Sequence, residues 1–179
     1  MKKLITLLCL ALVYTTSSAQ YIENYEPEPY KTIVKFGVGL GLDYGGIGAR
    51  LTITPTTHFG AFIAVGYNLQ KPGINGGLTY KFLPEKRVSP VAHIMYGYNA
   101  VIIVEGAEKY NKTYYGVSAG GGIELNMKKS GNYWSFEILY PFRSSEYERD
   151  WDIIKNDPSI EIESEPLPIT ISVGYHFNI

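Results

Sequence analysis

The pattern that organises this chain is alternation. In ITISVGYHFNI, Ile169, Ile171, Val173, Tyr175 and Phe177 fall on one side and Thr170, Ser172, Gly174 and His176 on the other. A period of two marks a strand with unlike faces. The same pattern recurs along the chain. Val34, Phe36, Val38, Leu40 and Leu42 alternate with Lys35, Gly37, Gly39 and Gly41, and Ile47, Ala49, Leu51 and Ile53 with Gly48, Arg50 and Thr52. Phe59, Ala61, Ile63, Val65 and Tyr67 oppose Gly60, Phe62, Ala64 and Gly66. Ile74, Gly76, Leu78, Tyr80 and Phe82 oppose Asn75, Gly77, Thr79 and Lys81. Ala92, Ile94, Tyr96, Tyr98, Ala100 and Ile102 oppose His93, Met95, Gly97 and Asn99. Tyr115, Val117, Ala119, Gly121, Ile123 and Leu125 oppose Gly116, Ser118, Gly120, Gly122 and Glu124. Trp134, Phe136, Ile138 and Tyr140 oppose Ser135, Glu137 and Leu139. Turn residues separate these runs: Asp43-Tyr44-Gly45, Pro55-Thr56-Thr57, Lys71-Pro72-Gly73, LPEKRVS and Lys128 to Asn132. The reading is eight strands in meander order, with no amphipathic helix, and a long polar loop from Arg143 to Glu165.

Two closed architectures suit such a meander: a soluble carrier barrel, apolar inside, and a membrane barrel, apolar outside. The apolar face is continuous and carries Phe59, Tyr67, Tyr80, Tyr115, Trp134 and Tyr175. Eight strands enclose a lumen only just wide enough for modest side chains, so these residues would crowd it. The other face is Gly-rich, with Lys35, Arg50, Lys81, Glu124 and Glu137 among small polar residues. Small residues inside and large ones against lipid is the better fit. Aromatics near strand ends and aliphatics near mid-strand match the two girdles of a membrane barrel. The expected fold is all-β: an eight-stranded antiparallel up-and-down transmembrane β-barrel with a polar, Gly-rich interior. In hydrocarbon no sheet edge can stay open, so the first strand is expected to pair with the last. Connections after strands two, four and six are compact, and those after five and seven longer. Short turns face the periplasm, which puts both termini there.

Composition adds the address. MKKLITLLCLALVYTTSSAQ opens with Lys2 and Lys3, runs apolar from Leu4 to Val13 and ends in Ser17-Ser18-Ala19, the layout of a cleaved signal peptide over residues 1–19. The apolar run is about half the roughly 20 residues a spanning helix needs. The single cysteine, Cys9, lies inside this segment and follows Leu8 rather than a small residue, so a lipoprotein anchor is not expected. The mature chain then has no thiol and no disulfide. Loss of Lys2 and Lys3 takes the formal charge from −1 to about −3, which offers nothing to a nucleic acid. Residues 20–32, with two prolines and three glutamates, read as a flexible periplasmic lead-in to a barrel over 33–179.

The signal peptide, the eight amphipathic strands and Gly174-Tyr175-His176-Phe177 together resemble the small outer-membrane β-barrels of Gram-negative bacteria. These are the OmpA-like or OmpX-like group, in the form of the outer membrane protein beta-barrel domain of Bacteroidota. The resemblance spans the mature chain and rests on pattern. It implies residence in the outer membrane among lipid and lipopolysaccharide, and delivery by the barrel-assembly machinery. Members usually end on an aromatic residue; here Phe177 is followed by Asn178 and Ile179.

Chemistry is sparse. Strand direction sets Lys35, Lys81, His93, Glu124 and His176 near the periplasmic end of the interior and Arg50 and Glu137 near mid-height. Buried charges need partners, so these seven are expected to form a structural network that fills the lumen, with no open pore. His58, His93 and His176 have no metal-ligand spacing, and no catalytic residue or cofactor is expected. Glu146, Glu148, Asp150, Trp151 and Asp152 lie in the acidic loop, the candidate surface for an unknown extracellular ligand. Two alternatives stand beside a structural or surface-interaction role. A lipid-A-modifying barrel enzyme would need an outer-rim histidine with serine or acid neighbours. A soluble lipocalin-like carrier would need an apolar lumen.

Overall fold

Tyr133 to Pro141 shows how this sequence forms a sheet with two unlike faces. Along YWSFEILYP every odd-numbered residue is buried and every even-numbered one exposed. The computed structural model describes residues 30–68, 70–104, 111–158, 160 and 166–179. The segment expected to be a signal peptide, and the lead-in up to residue 29, lie outside them. The strands are β1 (Ile33–Gly41), β2 (Gly46–Thr54), β3 (Phe59–Tyr67), β4 (Pro72–Lys81), β5 (Val88–Ile102), β6 (Lys112–Asn126), β7 (Tyr133–Pro141) and β8 (Thr170–Asn178). Each pairs antiparallel with its neighbours in sequence, and β1 pairs with β8, so the sheet closes into a barrel. The closing register runs from Lys35 opposite Asn178 to Leu40 opposite Val173.

The wall is apolar outward. Val38, Ile47, Ile63, Leu78, Ile94, Ile138 and Ile171 stand exposed around the whole circumference. Aromatic chains ring the end where the termini lie, here the terminal end. Phe59, Tyr80 and Phe82 follow one another edge to face at 5.0 Å between centroids. Trp134, Tyr175 and Phe177 continue the ring at 4.9 and 4.8 Å. Tyr67, Tyr140 and Phe142 stand at the opposite, far end. A nine-residue strand covers about 30 Å along its axis and, tilted near 40°, roughly 23 Å along the barrel, the height of an apolar membrane band.

Three features differ from the sequence reading. The chain from Arg143 to Glu165 is not wholly a loop: Ser145–Lys155 forms a helix, α1. Ser144 caps it, accepting a hydrogen bond from the Tyr147 N–H at 3.2 Å. Leu42, read as the last outward residue of the first strand, is instead 4% exposed. Gly41, at φ 134°, turns the chain inward, and Gly45, at φ 72°, turns it back. Both values suit glycine alone without strain. The short turn Leu42–Tyr44 between them is tucked into the barrel. β5 and β6 also begin earlier than the alternation suggested, and at 15 residues each they are the longest strands. β6 pairs with β7 only from Ser118 to Asn126, so its first residues stand proud of the far end.

Candidate functional site

The lumen is filled from mid-height in both directions. Arg50, on β2, is 2% exposed. Its guanidinium donates to Asp43 at 2.7 Å, to Glu137 at 3.5 Å and to the Thr79 hydroxyl at 3.3 Å. The guanidinium carbon lies over the Phe62 ring, 3.8 Å from its centroid. A guanidinium can do this because its donors radiate in one plane and leave its faces free to stack. His93 joins the same cluster. Its Nδ1 lies 3.0 Å from Thr79 Oγ1, and its Nε2 faces Glu137 at 3.2 Å. The sequence reading set His93 with the terminal-end group; its contacts with Thr79 and Glu137 place it beside Arg50 at mid-height.

Below it, toward the termini, a second cluster is built on aromatic faces. Tyr133 stacks on His176 at 4.2 Å with planes 7° apart. The ammonium groups of Lys35 and Lys81 lie 4.4 and 4.8 Å over the same Tyr133 ring. Lys81 also pairs with Glu124 at 2.5 Å, and Lys35 donates to the Gly131 carbonyl at 3.1 Å. Two lysines sharing one ring face are tolerable because the ring quadrupole and Glu124 both offset their repulsion. The structure thus divides the seven interior residues into Arg50, His93 and Glu137 on one level, and Lys35, Lys81, Glu124 and His176 on the next.

The inward turn adds residues that the sequence reading took only for a tight turn between strands. Asp43 and Tyr44 are both fully buried. Asp43 is a direct ion-pair partner of Arg50. Tyr44 reaches down the lumen over Gly39 and Gly174, where any β-carbon would collide with its ring or hydroxyl. Its hydroxyl lies 2.6 Å from His176 Nε2 and 3.3 Å from Ser135 Oγ. The facing glycines were the available signal: small residues on adjacent strands leave room for a large one from elsewhere. Above this level Leu42, Phe62, Met95 and Leu139 form a small apolar plug.

Thr79, His93 and Glu137 lie in the order of a hydroxyl, a base and an orienting acid. The geometry does not make them a catalytic site. Thr79 is 2% exposed and already accepts from Arg50, so no substrate carbonyl can approach it. Among the described residues no group of three His, Cys, Asp or Glu side chains is placed to hold a metal ion.

The far mouth carries α1. Tyr147 and Ile154 pack with Ile102 and Tyr114 of the β5–β6 extension, with Trp151 against the cluster. Tyr114 shares the inward parity of Ser118 and Glu124, so the helix rests on the side of the extension that faces the barrel axis. Lys112 fastens it, donating to Glu146 and Asp150 at 2.8 Å each, and the Tyr114 hydroxyl donates to Asp150 at 2.9 Å. These hydrogen bonds hold the Asp150 carboxyl below its ordinary range and raise Lys112 above its own. Of the five loop candidates, Asp150 and Glu146 are tied to Lys112 and Trp151 is half-buried. Glu148 and Asp152 face solvent.

No protein-family model matches the sequence, and no curated protein matches it. Among solved structures the chain is similar to the N-terminal β-barrel domain of Pseudomonas aeruginosa OprF. The TM-score is 0.50 at 12% identity, over 82% of this chain and 97% of that one. A structure from the de novo design of transmembrane β-barrels matches with a TM-score of 0.43 at 13% identity, over 87% and 100%. With its closed meander, apolar wall and polar fill, the chain has the fold of a closed eight-stranded antiparallel up-and-down β-barrel, the fold it shares with the OprF N-terminal domain.

Proposed function

We propose that this chain is a small outer-membrane barrel with a structural or surface-interaction role, its termini in the periplasm and no open pore. The observation that carries the reading is the pairing of an apolar wall with a lumen packed by Arg50, Tyr44, Tyr133 and their partners. Eight strands leave little room to begin with, and these side chains occupy it on successive levels. The acidic face of α1, with Glu148 and Asp152 outward, is the part offered to an extracellular ligand. Compact turns at the terminal end and the longer β5–β6 and β7–β8 connections at the far end support the orientation.

A lipid-A-modifying enzyme is disfavoured by the histidines. His93 and His176 are sealed in the lumen, and His58 bonds the Lys81 carbonyl in a terminal-end turn. A lipocalin-like carrier is disfavoured by a lumen that is charged and filled. The experiment is fractionation of expressing cells, then electrophoresis of the membrane fraction with and without boiling, and conductance of the refolded protein in planar bilayers. Outer-membrane recovery, a heat-dependent mobility shift and no steady conductance are expected. Soluble periplasmic protein without a shift would overturn the reading, and stable channel openings would overturn the sealed lumen.

A further inference from the structure

The turns at the terminal end carry a basic patch that the barrel itself does not use. The β4–β5 turn holds Lys86 and Arg87 beside one acid, Glu85, and the β6–β7 turn holds Lys128 and Lys129, all exposed, for a net charge of four minus one, +3. The two turns are stapled together: the Asn126 N–H donates to the Arg87 carbonyl at 2.7 Å, and its side-chain amide to the Lys86 carbonyl at 3.0 Å. The four cations are therefore held on one short arc of rim. None has an ion-pair partner among the described residues. Directly beside them Phe82, Leu83, Val88 and Met127 stand exposed, continuous with the apolar wall. The charge is one-sided, since the far end presents the acidic face of α1.

We propose that this arc binds the headgroup of an anionic phospholipid. A ligand seated here meets cations at the rim and an apolar wall beneath, so it needs a negative head joined to acyl chains. Lysine and arginine stems lie along apolar surface and send their charges to the headgroup level, and each basic residue near an anionic surface adds to the attraction. A soluble anion would leave the apolar skirt uncovered. The proposal rests on the membrane-barrel reading and, for the leaflet involved, on the periplasmic placement of the termini.

The test is native mass spectrometry of the folded full-length barrel released from mixed micelles. The micelles contain phosphatidylglycerol and phosphatidylcholine with the same acyl chains. Retention of phosphatidylglycerol over phosphatidylcholine is expected. K86Q/R87Q/K128Q/K129Q should reduce that preference by about fivefold for each charge removed, and K71Q/K155Q at the far end should leave it unchanged. A heat-dependent gel shift shows that each variant is folded. Equal retention of both lipids, or an undiminished preference in the fourfold variant, would overturn the proposal. So would displacement by glycerol phosphate alone, which would assign the patch to a soluble anion. Both rims meet both lipids in micelles, so this result is independent of orientation. Orientation is tested separately by labelling Ser130→Cys with an impermeant maleimide in intact and lysed cells; labelling before lysis would overturn the periplasmic placement and leave the lipid result standing.

Discussion

Tyr44 and His176 are 132 residues apart in sequence and 2.6 Å apart in the lumen. The contact joins the inward turn between β1 and β2 to the closing strand β8, across a floor made of Gly39 and Gly174. One phenol therefore ties a turn to the seam of the barrel.

Removing that hydroxyl should weaken the tie without reshaping it. Tyr44→Phe leaves His176 Nε2 with Ser135 at 3.3 Å as its remaining partner. A loss of about 1–2 kcal/mol is expected, read by urea unfolding in lipid vesicles. Gly174→Ala should cost more, about 2–3 kcal/mol, because its β-carbon meets the Tyr44 hydroxyl. Adding Tyr44→Ala to Gly174→Ala should recover part of that loss. Strict additivity of the two would refute the packing argument.

Arg50 holds two buried carboxylates, and its loss should be the most damaging interior change. Arg50→Met leaves Asp43 and Glu137 without their shared cation, at a cost of about 3–5 kcal/mol. Adding Asp43→Asn and Glu137→Gln should restore most of the stability, since the penalty lies in the uncompensated charges. If Arg50→Met alone unfolds at the wild-type urea midpoint, the network is not the stabilising unit described.

Ile63, mid-way along β3 and 65% exposed, should not tolerate charge. Ile63→Arg should destabilise the barrel in vesicles by about 2–4 kcal/mol. The same change on a water-facing surface would be nearly neutral, so an unaltered unfolding curve would argue against lipid on this face.

The docking of α1 should depend on pH. Asp150 has its folded pKa depressed, chiefly by the hydrogen bond from Lys112 and then by that from Tyr114. Its contribution is therefore present above the ordinary carboxylate range and is lost as pH falls through the lowered value. Lys112 has its pKa raised, chiefly by Asp150, so its contribution holds at neutral pH and fades only above the ordinary lysine range. The window of docking is broad and closes first on the acid side. In a Trp134→Phe background Trp151 is the remaining tryptophan of the two. Its emission should shift to the red in strong acid, and at neutral pH in Lys112→Gln. No shift in Lys112→Gln would mean that the apolar contacts alone seat the helix.

The strands were legible because the two sides of the wall differ, apolar outside and polar inside, and period two reports that directly. Phe62 and Leu139 could be set inside by parity alone, large as they are. The partners within the lumen were not legible, since parity says which charges face in and not which ones meet. Asp43 was read only as part of a tight turn, since residue types do not say which way a turn points; the backbone at Gly41 and Gly45 sends this one inward. The helix was present as a faint signal: Ser144 as cap, then Tyr147, Trp151 and Ile154 at helical spacing. The surrounding charges of SEYERDWDIIK hid it, because only one narrow stripe of the helix packs on the β5–β6 extension.

The pairing of β1 with β8 also sets the tempo of assembly. Seven of the barrel's seams join strands adjacent in sequence, and each can zip from its own hairpin. The eighth brings Lys35 to Asn178 and closes a loop of nearly the whole domain, the most distant and entropically costly contact it makes. Hairpins can form and dissolve many times before that meeting. Until it occurs, the outer edges of β1 and β8 are left unpaired, so the joining of the first strand to the last is the expected slow step of folding.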